Sequence, residues 1–274
     1  MTNSKSLVSV IMTTYNAERF IDEAIQSILN QTLKNYELII IDDCSKDNTW
    51  NIIEGYSKKD NRIRALRHEH NLGSCETLNE GKKMSRGDYI AVMDNDDWSY
   101  PDRIEKQASF LDVHPDVGLV GGAMEIMDEN GVIKAMREYN LTDDVIRKKI
   151  FRYSPFSHPL IMYRRSVLEK VGFSNCTFAP ADDYELYFRM GKISKFANLP
   201  DTLLKYRALS TSMTNRMVKK MALNTIKIRS MYKNYGQYKM GLFDWAWNLL
   251  HYFAIFLLPS RIMIQIYNKL RNSR

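Results

Sequence analysis

Four short, mainly apolar runs, at residues 7–12, 38–41, 63–66 and 89–93, each stop at a polar cluster, and helical patterns lie between them. Strands covered on both faces read as continuous apolar runs rather than alternating ones. Phe20, Ile21, Ala24, Ile25, Ile28 and Leu29 recur at helical spacing. Asp47 or Asn48 can cap a helix through Ile52, Ile53 and Tyr56, and residues 74–85 read as a third helix. The order β-α-β-α-β-α-β predicts a parallel sheet with helices on both faces. In such sheets ligands bind beyond the carboxyl ends of the strands. The polar clusters at 13–16, 42–45, 67–71 and 94–97 all fall on that edge.

The last of them, Asp94-Asn95-Asp96-Asp97, places three carboxylates in four positions. Repulsion between them is relieved by water, a proton or a cation. A hard divalent ion with oxygen ligands, Mg²⁺ or Mn²⁺, is the simplest relief, and Mg²⁺ leaves coordination positions for substrate phosphates. The motif alone also fits a solvated acidic turn before the helix that starts near Pro101.

The second half is less regular. It predicts a helix through Ile104, Phe110 and Leu111, a strand at 117–120, a hairpin turn at Asp128-Glu129-Asn130-Gly131, a helix over 142–152 and a short one from Asp182 to Met190. Cys44, Cys75 and Cys176 have no paired spacing, which points to free thiols in a reducing compartment and not to zinc. No long apolar segment near the N-terminus marks a signal peptide, so the cytoplasm is expected.

Charge is distributed unevenly. From residue 201 onward 13 Lys and Arg stand against Asp201 and Asp244, whereas the first 200 residues are net acidic within a total of +7. A basic tail implies an anionic partner, membrane phospholipid or nucleic acid. From Trp245 to Ser260 there is no formal charge, and Arg261, Lys269, Arg271 and Arg274 follow. The stretch is short for a span of about 20 apolar residues and is interrupted by Pro259. Its Trp, Tyr and basic end fit a helix lying in a membrane interface; packing on the domain's own core is the alternative.

Several motifs together resemble the family 2 inverting glycosyltransferases, which have the GT-A fold. They are Val8-Ser9-Val10-Ile11-Met12-Thr13-Thr14-Tyr15-Asn16, Ile41-Asp42-Asp43-Cys44-Ser45, Asn71-Leu72-Gly73, Leu78-Asn79-Glu80-Gly81, Gly87-Asp88-Tyr89-Ile90 and Met93-Asp94-Asn95-Asp96-Asp97. The likeness is near-continuous over 7–122 and patchier beyond, at His158-Pro159, Asp182-Asp183-Tyr184-Glu185 and Tyr206-Arg207.

The resemblance implies a Rossmann-like nucleotide-binding sheet with helices on both faces. It implies a GT-A domain at 1–210, with a nucleotide-sugar half (1–121) and an acceptor half (122–210), and a basic, membrane-associating helical extension at 211–274. Thr13, Tyr15 and Asn16 would line the nucleotide pocket, with Asn71, Gly73 and Asn95 contributing. Asp42 or Asp43 would accept a hydrogen bond from the base, usually uracil N3–H, with Asp43 favoured. Asp96 would bind the metal, Asp94 would face the ribose or the metal shell, and Asp97 would bond to the loop. Asp183 aligns with the catalytic base. Two positions depart from the family pattern: Leu78 stands where many relatives have Arg, and Ala208-Leu209 stand where a His is common, which leaves Arg207 or a nearby Lys to serve instead.

The expected activity is metal-dependent transfer of a hexosyl or N-acetylhexosaminyl group from a nucleotide sugar, UDP-linked in the first instance, in surface polysaccharide synthesis. The acceptor would be a glycan or a polyprenyl-diphosphate-linked sugar, reached at an anionic membrane surface on the inner face of the plasma membrane. Two rivals are a degenerate transferase acting as a membrane-bound scaffold and a sugar-nucleotide pyrophosphorylase. The second lacks its glycine-rich basic loop after the first strand. Nucleic acid is not expected, because it leaves the acidic sheet edge without a purpose.

Overall fold

The computed structural model describes residues 7–209 and 212–271. Arg274, and the outer ends of the two expected units at 1–6, 210, 211 and 272–274, lie outside the described residues. The first half follows the expected order: β1 (Val8–Thr14), α1 (Ile21–Leu29), β2 (Tyr36–Asp42), α2 (Thr49–Ser57), β3 (Ile63–Arg67), α3 (Ser74–Met84) and β4 (Tyr89–Asp94). Then come β5 (Trp98–Ser99), α4 (Arg103–Val113), β6 (Val117–Met127), β7 (Ile133–Arg137), α5 (Asp143–Lys149), β8 (Met162–Arg164), α6 (Arg165–Val171), α7 (Asp182–Met190) and β9 (Lys195–Arg207). Helices α8 (Met213–Arg216), α9 (Val218–Tyr232), α10 (Leu242–Leu257) and α11 (Ser260–Arg271) complete the chain.

The described strands form one sheet in the order β3-β2-β1-β4-β8-β6-β9-β5, with β7 paired to β6. β1 to β4 are parallel, as their patterning requires. The whole sheet is mixed, however, because β8 runs antiparallel to β4 and β6. Successive side chains on each strand point to opposite faces. Val10, Met12, Ala91 and Met93 therefore enter one core, and Ile11, Ile90 and Val92 the other.

Register decides what meets at the carboxyl edge. Thr14 lies opposite Asp42, and Thr13 lies opposite Asp94. A one-residue slip would turn every buried apolar side chain of β1 to the wrong face, so this alignment is enforced by the core.

The second half departs from the expectations. β6 runs to Met127, well past residue 120, and β9 was not foreseen. Both carry charged residues, Glu125 on one and Lys195, Asp201 and Lys205 on the other, which hide the strand pattern. The thiols are also not all free: Cys75 at the start of α3 is bonded to Cys176, 101 residues away, and only Cys44 remains a free thiol. The pairing comes from α3 packing against the loop before α7, where Asn79 exchanges two hydrogen bonds with the Ser174 backbone. This corrects the expectation of free thiols and removes the cysteine argument for a reducing compartment.

In the tail, α9 belongs to the second core. Tyr232 stacks on Phe188 with ring centroids 4.8 Å apart, and Arg229 Nε donates to the Tyr184 hydroxyl at 2.9 Å. α10 rests on the domain through Asp244, Asn248 and Ile255. No helix among the described residues is long and apolar enough to cross a membrane.

Candidate active site

The carboxylates at the end of β4 form the centre. Asp94, Asp96 and Asp97 can each offer an oxygen such that all three lie within 4.8 Å of one another. Burial raises their pKa values, followed by their mutual repulsion at Asp94 and Asp97. Asp94 is pushed up to about 7 and Asp96 to about 6. Two cations lie behind them, Arg103 and Arg207, and the charge of Arg207 pulls Asp96 downward. Arg103, 1% exposed, donates to the Val92 carbonyl at 2.7 Å, and its charge pulls Asp94 and Asp97 downward. It makes no direct ion pair in the cluster, so the repulsion is only partly offset. Asp97 Oδ2 is buried and has no hydrogen-bond partner. An all-oxygen donor set with an unsatisfied buried lone pair fits a hard divalent cation.

Arg207, one of the expected stand-ins for a phosphate- or metal-binding His, spends three of its five guanidinium donors on Glu23 at 2.6 Å, the Asp96 carbonyl at 2.8 Å and the Glu129 carbonyl at 3.2 Å. Its backbone N–H donates to Asp97 Oδ1 at 2.8 Å, so Arg207 holds the acidic loop from behind. Leu78, where Arg is common, is buried in the second core and offers nothing to a ligand.

The ends of β1 and β2 make the adjoining wall. Asn95 Nδ2 donates to the Thr13 carbonyl at 2.8 Å, tying the acidic loop to β1. Tyr15 is half exposed. Asn16 has a left-handed backbone (φ 51°) and bonds to Ser45 and Lys46. Cys44 is also left-handed (φ 65°), a conformation that costs a residue with a Cβ and recurs where loops are held for function.

The two acids at the end of β2 differ in their surroundings. Asp42, fully buried, accepts from Thr14 Oγ1, the Ser45 hydroxyl and the Ser45 N–H, and its Oδ2 is ion-paired with Arg67 at 3.2 Å. Asp43 accepts from the Leu72 and Gly73 N–H groups and from His68, each at 2.8 Å, and keeps one site on Oδ2. Gly73 reaches it with φ 87°, which a side chain would oppose. Asn71 Nδ2 donates to the Asp43 carbonyl at 3.0 Å. Burial opposes charge on both Asp43 and His68, but their bonds outweigh it: the Asp43 pKa is lowered and the His68 pKa is raised.

Asp183 lies in the first turn of α7. Burial raises its pKa, opposed by the helix N–H of Tyr184, the Tyr187 hydroxyl (3.2 Å) and Lys82. Its charge is felt at Asp94, so the two carboxylates share one electrostatic site. Asp182 is raised by burial and by Asp183. His158 lies near Lys82 and Asp182; its Nε2 is buried without a partner, and burial and then Lys82 push it down to about 4. Lys82 is 2% exposed, donates to Ser174 Oγ at 2.9 Å, and is pushed down to about 8 by burial.

His68, Lys82 and Arg103 carry no role in the sequence expectations, although His68 falls in the polar strand end at 67–71 and Arg103 in the Pro101-Asp102-Arg103 stretch shared with the family. His68 could have been found from that position. Lys82 sits in a polar helical stretch beside Lys83, and nothing local distinguishes it as the buried one.

The fold and this edge have counterparts. The model of glycosyl transferase family 2 matches residues 9–172. The uncharacterized glycosyltransferase MJ1057 of Methanocaldococcus jannaschii is 31% identical over 276 residues, covering 97% of this chain and 95% of its own. The O-antigen biosynthesis glycosyltransferase WbnJ of Escherichia coli is 32% identical over 210 residues, 73% of this chain and 79% of its own. Among solved structures, S. aureus TarS 1–349 in complex with UDP has a TM-score of 0.62 at 21% identity, over 83% of this chain and 70% of that one. The mannosyltransferase PcManGT from Pyrobaculum calidifontis, in complex with GDP-Man and Mn²⁺, has a TM-score of 0.66 at 17% identity, over 99% and 77%. The sheet is that of a GT-A enzyme, and the chain belongs to glycosyl transferase family 2.

Proposed function

We propose that this glycosyltransferase moves a hexosyl or N-acetylhexosaminyl group, with inversion, from a UDP-linked donor to a hydroxyl of a glycan or lipid-linked acceptor in surface polysaccharide synthesis. The observation that supports it most is the gathering of Asp94, Asp96 and Asp97, with the charge of Asp183 felt at Asp94. The name of the WbnJ relative supports the polysaccharide class. The UDP and the GDP-Man with Mn²⁺ in the two structural neighbours support a nucleotide-sugar donor and a divalent ion. A nucleotide sugar does not cross a bilayer unaided, so donor and enzyme share a compartment, which we take as the cytoplasm at the inner face of the plasma membrane.

Asp96 and Asp94 would hold Mn²⁺ or Mg²⁺, which when bound supplies neutralisation of the charge growing on the departing diphosphate. Asp43 reads the base through its remaining lone pair, with His68 and the Leu72 and Gly73 N–H groups fixing its carboxylate. Thr13, Tyr15, Asn16, Asn71 and Asn95 shape the nucleotide wall. Asp183 accepts the proton of the acceptor hydroxyl as that oxygen attacks the anomeric carbon from the face opposite the leaving group. One displacement at carbon inverts its configuration and needs no enzyme nucleophile. Residues 1–210 form the catalytic unit in this reading, and 211–274 an extension.

A panel of nucleotide sugars with and without Mn²⁺, read by thermal shift, tests it. The true donor raises the melting temperature only with the ion present, because a ligand of the folded state alone stabilises it. If no nucleotide sugar shifts the transition, the reading fails.

Acidity should modulate the effect of the ion. Asp94 and Asp96 titrate near 7 and 6 in the folded chain against 3.8 in a model carboxylate. Between those values the folded state holds more protons than the unfolded one, so chelator-treated protein should lose stability as pH rises from about 4 to 7. The stabilisation by Mn²⁺ should grow over the same range, as protons stop competing for the carboxylates. An equal Mn²⁺ shift at about pH 5 and pH 8 would contradict the assignment.

A further inference from the structure

Helix α10 is amphipathic the wrong way round for a helix facing water. Its inward face presents Asp244, paired with Arg152 at 2.6 Å, and Asn248, which bonds the Phe151 carbonyl and Arg229. Trp247 also points inward, donating to the Arg152 carbonyl at 2.9 Å. The outward face carries Leu242, Leu249, Leu250, Phe253, Phe256 and Leu257, with Leu242 89% and Leu257 76% exposed. At 100° per residue these six fall on one continuous stripe, and from 245 to 257 no Lys, Arg, Asp or Glu interrupts it. Ordinary surface helices place polar residues outward and apolar ones inward. The inward polar contacts are specific and satisfied, so they fix the helix in the orientation that leaves its apolar face outside. The helix does pack on the domain, the other expectation from sequence, but through this polar side and Ile255, which leaves the apolar stripe uncovered among the described residues. A contiguous apolar patch of this kind marks an interaction surface.

The surroundings identify the occupant. α11 continues the patch with Ile262, Ile266 and Leu270, all exposed, and places Arg261 and Lys269 beside them. Lys233 lies 5.3 Å from the Trp245 ring centroid at the rim. A cleft of about 190 Å³ between α9 and α10, lined by Ile226, Met240, Trp245, Leu249 and Tyr252, opens beside the stripe. An apolar stripe with Trp and Tyr at its flank and cations around it fits the boundary between acyl chains and anionic headgroups. At 16 residues α10 is about 24 Å long, suited to lying in the interface rather than crossing it.

We infer that α10 and α11 form a monotopic docking face, with the outward stripe of α10 inserted among the acyl chains of an anionic leaflet and Lys233, Arg261 and Lys269 against its headgroups. The inference rests on the tail alone and stands whether or not the donor assignment above is right. It gives a role to three of the cations of the basic C-terminal quarter, Lys233, Arg261 and Lys269.

The test is flotation of the full chain with vesicles of phosphatidylcholine alone or with phosphatidylglycerol added. The protein should float with anionic vesicles at low salt, more weakly with neutral ones, and bind less at about 1 M salt, where charges are screened within a few ångströms. The double variant Leu249→Glu/Phe253→Glu should lose about 10-fold or more of its vesicle binding. Leu250→Glu/Leu257→Glu, on the same stripe, should do likewise, and Val113→Glu, exposed on α4, should not. Thermal stability read on each variant reports folding independently of binding, and the donor-induced shift separates failure here from failure of the catalytic reading. Wild-type protein that stays below anionic vesicles at low salt overturns the inference. So do carboxylate variants that still float, or a wild-type dimer in solution that these variants dissociate, since a second copy would then cover the face.

Discussion

Asp183→Asn is expected to lower kcat by about 10²- to 10⁴-fold, the range for a lost general base, while the donor-induced thermal shift stays intact. Asparagine keeps the shape and can still bond with Tyr187, but cannot accept a proton from the acceptor hydroxyl. The pH profile provides the second readout. Burial raises the Asp183 pKa, so in the wild type kcat/KM should fall on the acid side at a pH above the ordinary Asp range. That limb should vanish from the residual activity of the variant. Lys82 and the Tyr187 hydroxyl both pull the other way, so Lys82→Met should move the limb further up in pH. Full activity in Asp183→Asn, or an acid limb that persists unchanged, would remove Asp183 from the role.

Asp96→Ala is expected to be comparably damaging and to act at an earlier step. An ion on the diphosphate is worth several kcal/mol of charge stabilisation, so its loss corresponds to a fall in kcat/KM on the order of 10³-fold. Unlike Asp183→Asn, it should also abolish the Mn²⁺-dependent part of donor binding. Stability should move in the opposite direction from activity. Removing Asp96 takes a repelling charge away from Asp97, so the chelator-treated variant should melt at or above the wild-type temperature near neutral pH. Donor titrations with and without Mn²⁺, together with melting curves, check both parts. If turnover of the variant responds to Mn²⁺ as the wild type does, Asp96 is not the ligand.

Much of this site was legible in the chain. Apolar runs that stop on Thr13, Asp42, His68 and Asp94 specify parallel strands whose polar ends share an edge, and strand register then sets Thr13 beside Asp94 and Thr14 beside Asp42. The helix that begins at Asp182 was visible for the same local reason. What escaped detection was non-local. β9 was hidden because its charged residues disguise a strand that pairs with β6 some 80 residues earlier in the chain. That Arg207 spends most of its donors on Glu23 and two carbonyls was equally invisible.

By itself, then, the sequence determined the order of elements through β4, the family, and the edge on which the chemistry gathers, because apolar periodicity and strand-end composition act over a few residues. The tertiary structure decided which acids have capacity left. Asp42 is buried against Ser45 and Arg67 while Asp43 is held by His68, Leu72 and Gly73 with a lone pair to spare, and Asp97 is anchored on one oxygen and unsatisfied on the other. It also joined Cys75 to Cys176 and turned α10 with its polar side in. Each of these depends on which distant groups arrive within hydrogen-bonding or covalent reach, and only packing specifies that.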